Sequence, residues 1–256
     1  MGPSASIPQM AEHDGSSRQC ILHFPARPEY RFTNFIVSKG SRFALACARD
    51  ICSGDPVTYH SLYLSGAGGL GKTHLWMFIG NHLAETGKQA LYVHCRDLID
   101  SLDKGEDRLP GNLDRPESEI NFLLLDDIDR VAAHPGAQEA VYRIYNQTLE
   151  RKGKMVFAGR TPADRLEATE RFLTSRFKWG MTAEILPMDD EATAQLIHKL
   201  AEDVSLDVPD KIVAYLLKRI PRDFQSVKNA VTGINEESLR QKHKVTLPLI
   251  KTALGL

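Results

Sequence analysis

Residues Gly66 to Thr73 read GAGGLGKT, which fits the spacing G-x-x-x-x-G-K-[ST]. Gly66, Gly68, Gly69 and Gly71 let the backbone wrap an anion with its N–H groups, and Lys72 and Thr73 follow at the head of a helix. In that arrangement the Lys72 ammonium meets the β and γ phosphates of a nucleotide, and the Thr73 hydroxyl is a ligand for Mg2+. The chemistry implied is binding of ADP or ATP with Mg2+. It requires a strand before the glycines and a helix after them. HSLYLSG (60–66) runs apolar into the loop, and GKTHLWMFIGNHLAETG (71–87) reads as a helix stopped by Gly87.

A metal-bound nucleotide also calls for carboxylates at the end of a buried strand. FLLLDD (122–127) offers Asp126, placed to hold Mg2+ through water, and Asp127, placed to orient or polarise an attacking water. A third cluster, LTSRFKWGM (173–181), puts Arg176 near a helix end ahead of a Trp-Gly turn. Two readings of Arg176 stand: a packed helix terminus with a salt bridge, or a cation supplied to the nucleotide of a neighbouring subunit. His74, His82 and His94 lie on or beside apolar elements and read as packing or surface histidines. Trp76 and Met77 are expected between helix and sheet, and Trp179 is expected to anchor its turn in the core.

The elements that must position these groups alternate. After a helix in SKGSRFALACARDICSG, with Ser38 as N-cap and Phe43, Ala46, Cys47 and Ile51 on one face, strands are expected at 60–66, 89–94, 120–127, 154–159 and 182–187. Helical stretches separate them, notably GAQEAVYRIYNQTLERKG, with Val141, Ile144, Tyr145 and Leu149 at helical spacing. Continuous apolar strands alternating with helices give an α/β fold, a parallel sheet covered on both faces. Beyond Pro187 the strand signal ends, and DDEATAQLIHKLAEDV, DKIVAYLLKRI, DFQSVKNAVTGI and LPLIKTAL read as successive helices. The expected organisation is a tail over 1–28, a nucleotide-binding core over 29–187 and a small helical lid over 188–256. The acidic segment 96–119, interrupted by LPGNLDRP, reads as a helix followed by a surface loop.

Composition narrows the partners. The 256 residues hold 32 Lys plus Arg against 33 Asp plus Glu, so no global field draws the chain onto a phosphate backbone. RQKHK (240–244) is a local basic cluster, and DNA contact is expected to be weak or indirect. The four cysteines lack paired metal-site spacing, and the N-terminus lacks the pattern of a secretory leader, which points to reduced thiols in a cytoplasmic protein. No run approaches the roughly 20 apolar residues that span a bilayer, so no membrane contact is expected.

The first residues, MGPSASIPQMAEHDGSS, are too polar to bury a core, yet they lead into RQCILHFP (18–25). Its apolar residues suit either an edge strand packed on the domain or a short extended peptide shown to a partner.

YRFTNFIVSKGSRFALACARDI, LYLSGAGGLGKTHL, LLLDDID and SRFKWGMT, in this order, resemble the AAA+ domain of the bacterial replication initiator DnaA, from about Tyr30 to the C-terminus. The resemblance implies an AAA+ P-loop module with a helical lid, the adenine near FTNFIV and an arginine finger, acting in trans, at Arg176. The sequence ends at KVTLPLIKTALGL, where DnaA continues into a DNA-binding domain. It is thereby similar to the Hda-like paralogues, which work with the sliding clamp to stimulate hydrolysis of the ATP bound to DnaA. Such proteins carry a clamp-binding peptide Gln-x-x-Leu-x-apolar, and QCILHF (19–24) supplies Gln19, Leu22 and Phe24 at those positions.

Two departures stand out. Arg160 occupies a position where the resemblance expects Asp. Gln225 stands where a lid arginine would touch the γ-phosphate, with Arg222, one helical turn away, as the substitute. Together they imply nucleotide binding with slow or absent turnover, and so a regulatory partner. The alternatives are a self-assembling ATPase that loads a helicase or initiator, with Asp127 and Arg176 completing sites between identical subunits, or a DNA-binding recruitment module. The acidic 96–119 segment lies where DnaA carries single-strand contacts and argues against DNA remodelling.

Overall fold

A computed structural model describes residues 35–53, 59–105, 120 and 122–255. Gln19, Leu22 and Phe24 lie outside the described residues, as does most of the 96–119 segment.

The N-terminal part runs α1 (Arg42–Cys52), β1 (Ser61–Ser65), α2 (Lys72–Glu85), β2 (Ala90–His94), α3 (Cys95–Asp103), β3 (Phe122–Asp126), α4 (Pro135–Glu150), β4 (Lys154–Ala158), α5 (Arg171–Trp179) and β5 (Met181–Glu184). The strands form one five-stranded sheet in the order β2-β3-β4-β1-β5, every pair parallel. Alternate side chains of each strand go to opposite faces. On one face Tyr63, Leu123, Leu125 and Phe157 meet Ile144 of α4 and Phe177 of α5. On the other Leu62, Leu64, Leu124 and Val156 meet Ile51 of α1 and Trp76 and Ile79 of α2. Burial on both faces explains why the strands are continuous apolar runs.

Three local expectations are corrected. Ser38 does not cap α1: Ser38 and Ser41 bond each other, with Ser41 N donating to Ser38 Oγ at 3.1 Å, and the helix begins only at Arg42. Phe43 and Ala46 are exposed, because the helix presents Ala44, Leu45, Ala48 and Ile51 to the sheet instead. Trp179 does not anchor a core turn; it is 68% exposed. Trp76 is fully buried between α2 and the sheet, whereas Met77 is only half-buried.

The second part is helical: α6 (Asp190–Asp203), α7 (Asp210–Leu216), α8 (Phe224–Gln241) and α9 (Leu247–Leu254). Ile197, Ile212, Val227, Ile234 and Ile250 form its separate core. Asp189, Asp223 and Thr246 cap three of these helices with their side chains, satisfying N–H groups that the first turn leaves unpaired. Helix α8 continues well past Ile234, since EESLRQ adds good helix formers after Gly233.

Candidate functional site

In a parallel sheet of this kind, ligands bind outside the carboxyl ends of the strands. The GAGGLGKT loop leaves β1 there. Gly66 has φ +153 and lies so close to β5 that a Cβ would sit 2.6 Å from the Ile185 carbonyl. Gly69, at φ +77, is pressed from the lid: a Cβ would meet Asp223 Oδ1 at 2.8 Å. Gly68 faces open space, and Gly71 caps α2. Lys72 Nζ donates to the carbonyls of Gly66 at 2.5 Å and Ala67 at 2.8 Å, which folds the ammonium over its own loop. Burial pulls its pKa down, and nearby Asp126 partly offsets this. Thr73 is exposed in the first turn of α2.

Asp126 ends β3 and accepts the Asp127 N–H at 2.8 Å; its carboxyl is pushed up by burial. Asp127 takes a left-handed backbone conformation, φ 53. Its Oδ2 receives Arg130 Nε at 3.1 Å and lies 3.6 Å from His94 Nε2. Asp127 is therefore engaged by two protein partners as well as standing at the crevice.

Asp129, which sequence reasoning missed, organises the end of β4. Its carboxylate accepts Arg160 N at 2.5 Å and Thr161 N at 2.8 Å. Beside it Gly159 donates to Leu64 O of β1 at 2.9 Å. The LLLDDID run contains the signal, a third acid beyond the strand end, but its partners lie 31 and 32 residues away.

A cavity of about 400 Å³ flanks the loop at the seam of core and lid, lined by Phe35, Ile36, Gly69, His74, Met188 and Phe224 among others. Phe35 and Ile36 belong to the FTNFIV stretch. His74 packs against Phe78 with ring centroids 4.6 Å apart; burial and then Lys199 lower its pKa to about 4, so the ring is neutral near pH 7. The lid reaches the loop directly, with Phe224 N donating to Gly69 O at 3.0 Å. Gln225 is exposed in the first turn of α8 and bonds Asn229 Oδ1 at 2.7 Å. Arg222 lies before α8, not one helical turn along it, and its guanidinium pairs with Asp190 at 2.5 Å. It thus holds a surface ion pair to the first residue of α6.

These groups fit a Mg-nucleotide: a glycine cradle at a helix N-terminus, an ammonium poised over it, a partly apolar cavity on one side and Asp126 on the other. The structure brings together Gly66, Gly68, Gly69, Gly71, Lys72, Thr73 and Asp126. Asp127, Arg222 and Gln225 lie around this set but hold other partners.

Arg176 belongs to a different place. Gly180, which ends α5, has no room for a side chain: a Cβ would overlap the Ser61 carbonyl and hydroxyl. The end of α5 thus meets the first residue of β1, whereas the phosphate loop leaves β1 after Ser65, about 13 Å along the strand. Arg176, one turn back, stacks its guanidinium 4.2 Å from the Trp179 ring centroid, with Tyr142 at 5.6 Å and Tyr145 at 5.9 Å. Among the described residues its buried Nε has no hydrogen-bond partner. Tyr142 bonds Asn146 and Arg176, and its pKa is lowered accordingly. Phe172, also exposed, packs edge-on to Tyr142 at 4.9 Å.

Residues 26–184 match the family described as the bacterial DnaA ATPase domain. The chain belongs to this DnaA family. Residues 189–254 match the lid domain of Hda. DnaA of Methylacidiphilum infernorum is 30% identical over 226 residues, covering 86% of this chain and 49% of that protein. DnaA of Caldanaerobacter subterraneus subsp. tengcongensis is 28% identical over 254 residues, 97% of this chain and 56% of its own. The chain thus spans about half the length of these relatives.

Domain III of Thermotoga maritima DnaA superposes with TM-score 0.78 at 24% identity, over 90% of this chain and 98% of that one. AMPPCP-bound DnaA from Aquifex aeolicus gives 0.72 at 23%, over 85% and 70%. The Thermotoga maritima RuvB branch-migration motor gives 0.62 at 15%, over 88% and 71%. These likenesses show a shared AAA+ fold.

Proposed function

We propose that this chain is a nucleotide-binding AAA+ regulator of bacterial chromosome replication initiation. It holds ADP or ATP through Gly66, Gly68, Gly69, Gly71, Lys72 and Thr73, and Thr73 and Asp126 would hold the accompanying Mg2+. Bound Mg-nucleotide contributes the phosphoanhydride and its counter-charge. Lys72 and the loop N–H groups position the phosphates, and the α2 N-terminus adds a partial positive charge there. The chain docks on the sliding clamp through Gln19, Leu22 and Phe24, and offers Arg176 in trans to ATP held by DnaA.

The observation that carries this reading is the seating of Arg176. Its guanidinium is held by three aromatic rings at a partly exposed face, at the far end of β1 from the chain's own phosphate loop. A cation so placed serves another molecule's nucleotide, where a supplied arginine stabilises charge on the transferring phosphoryl group. Asp127, tied to Arg130 and His94, supports slow turnover by the chain alone. The test is ATP hydrolysis by DnaA with this protein and the clamp. Arg176→Ala is expected to abolish stimulation, by at least about a hundredfold, while clamp and nucleotide binding persist. Stimulation that survives the substitution removes the role.

The same placement of Arg176 also suits self-assembly, where it would complete sites between identical copies. Rapid turnover by the pure protein that rises with its concentration would favour that reading.

A further inference from the structure

We propose that the outer face of α1 is where two copies of this chain pair, across a two-fold axis that passes beside Ala46. The inference stands apart from the nucleotide reading of the loop. Helix α1 packs on the sheet through Ala44, Ala48 and Ile51, and it turns Arg42, Phe43, Ala46 and Asp50 to solvent.

The first support is apolar. Phe43 is 56% exposed, and it does not stand alone. Gly40, three residues before it, is pressed onto the segment after β5: Leu186 N donates to Gly40 O at 3.1 Å, and a Cβ at Gly40 would lie 2.8 Å from the Leu186 carbonyl. Leu186, 51% exposed, and Val37, 41% exposed and three residues to the other side of Gly40, therefore gather with Phe43 around one backbone contact. Large apolar side chains exposed together mark a surface that a partner covers.

Charge decides which partner. Arg42, Ala46 and Asp50 are spaced i, i+4, i+8 and form one ridge on the helix surface, with a cation at one end, an anion at the other and a small residue between. Neither Arg42 nor Asp50 enters an ion pair among the described residues. In the commonest class of helix packing such ridges lie alongside one another, with the axes crossing at about −50°. A two-fold axis at Ala46 sets the ridge of one copy against its own reverse. Arg42 then meets Asp50 of the second copy, Asp50 meets its Arg42, and the small Ala46 side chains let the helices approach at the crossing. A uniformly acidic or basic partner would satisfy one end of the ridge and repel the other. A surface complementary to itself is what an isologous dimer requires. Helix α1 covers the sheet face opposite α5, so this pairing leaves the Arg176 side uncovered.

The experiment is sedimentation equilibrium of the full chain over a concentration series, for wild type, Arg42→Glu, Asp50→Arg, the double variant and Arg176→Ala. Wild type and Arg176→Ala are expected to dimerise alike. Each single charge change sets like charges together at both ends of the crossing, and is expected to weaken the dimer by about tenfold or more. The double variant restores both pairs, as does an equal mixture of the two single variants, so both should recover the dimer. A monomeric wild type overturns the inference, as does a dimer indifferent to Arg42→Glu and Asp50→Arg. Failure of the double variant and the mixture to recover also overturns it. Loss of the dimer in Arg176→Ala overturns it too, by placing self-association on the Arg176 face. An acid in the first turn of α1 and a base in its last suit the helix ends, so folding is expected to survive. If a single variant melts early, Phe43→Ser replaces it, with the same weakening expected and an unchanged dimer overturning the inference.

Discussion

The phosphate-loop crevice and the Arg176 face each present a cation, and they hold it by different means. Lys72 rests on two backbone carbonyls of its own loop, among carboxylates that tether strand ends and neighbouring side chains. Arg176 rests on aromatic rings, one of which, Tyr142, also bonds it. Carbonyl bonds to an ammonium are easily exchanged for phosphate oxygens, which suits a group that must release one partner to take another. Ring faces hold a guanidinium by its flat side, so that an edge donor not bonded within the protein can meet an approaching anion. The first arrangement receives a ligand within the chain. The second offers a group outward.

The comparison breaks most sharply at Lys72. Lys72→Ala should lower nucleotide affinity by about a hundredfold while leaving Trp179 fluorescence, read in a Trp76→Phe background, unchanged, because Lys72 and Arg176 lie at opposite ends of β1. A change in Trp179 emission would mean that the regions are coupled. Next comes Asp129→Ala, which frees the N–H groups of Arg160 and Thr161. Denaturant titration should show a loss of about 2 kcal/mol. The smallest effect is expected at Trp179→Ala. An exposed cation–π contact contributes about 0.5–1 kcal/mol, so melting should barely move. Stimulation of DnaA hydrolysis should fall a few-fold, with Trp179→Phe retaining part of it. Full stimulation by Trp179→Ala would show that the ring does not position Arg176.

Much of the α/β layout was legible in the residues. Glycines bounded the strands, and LYLS, FLLLD and MVFA are apolar without alternation because both sheet faces are covered. What escaped was set by contacts distant in sequence. Asp129 finds Arg160, and Asp223 finds Gly69, with no local spacing to announce either. Trp179 misled for another reason: aromatic area suggests burial, but a ring can find its partner in a guanidinium at the surface. Phe43 misled because a helical stripe can be drawn through it or one position beyond, and the sheet selects Ala44.

The bond between Phe224 and Gly69 gives α8 a mechanical part. The 18-residue helix has its first turn seated on the phosphate loop, and it extends about 27 Å to Gln241. It has the geometry of a lever arm with its base on the phosphate loop. A tilt of the first turn would be multiplied along the shaft. The largest displacement would fall at the far tip, where Leu239 stands 69% exposed beside the basic cluster that follows it.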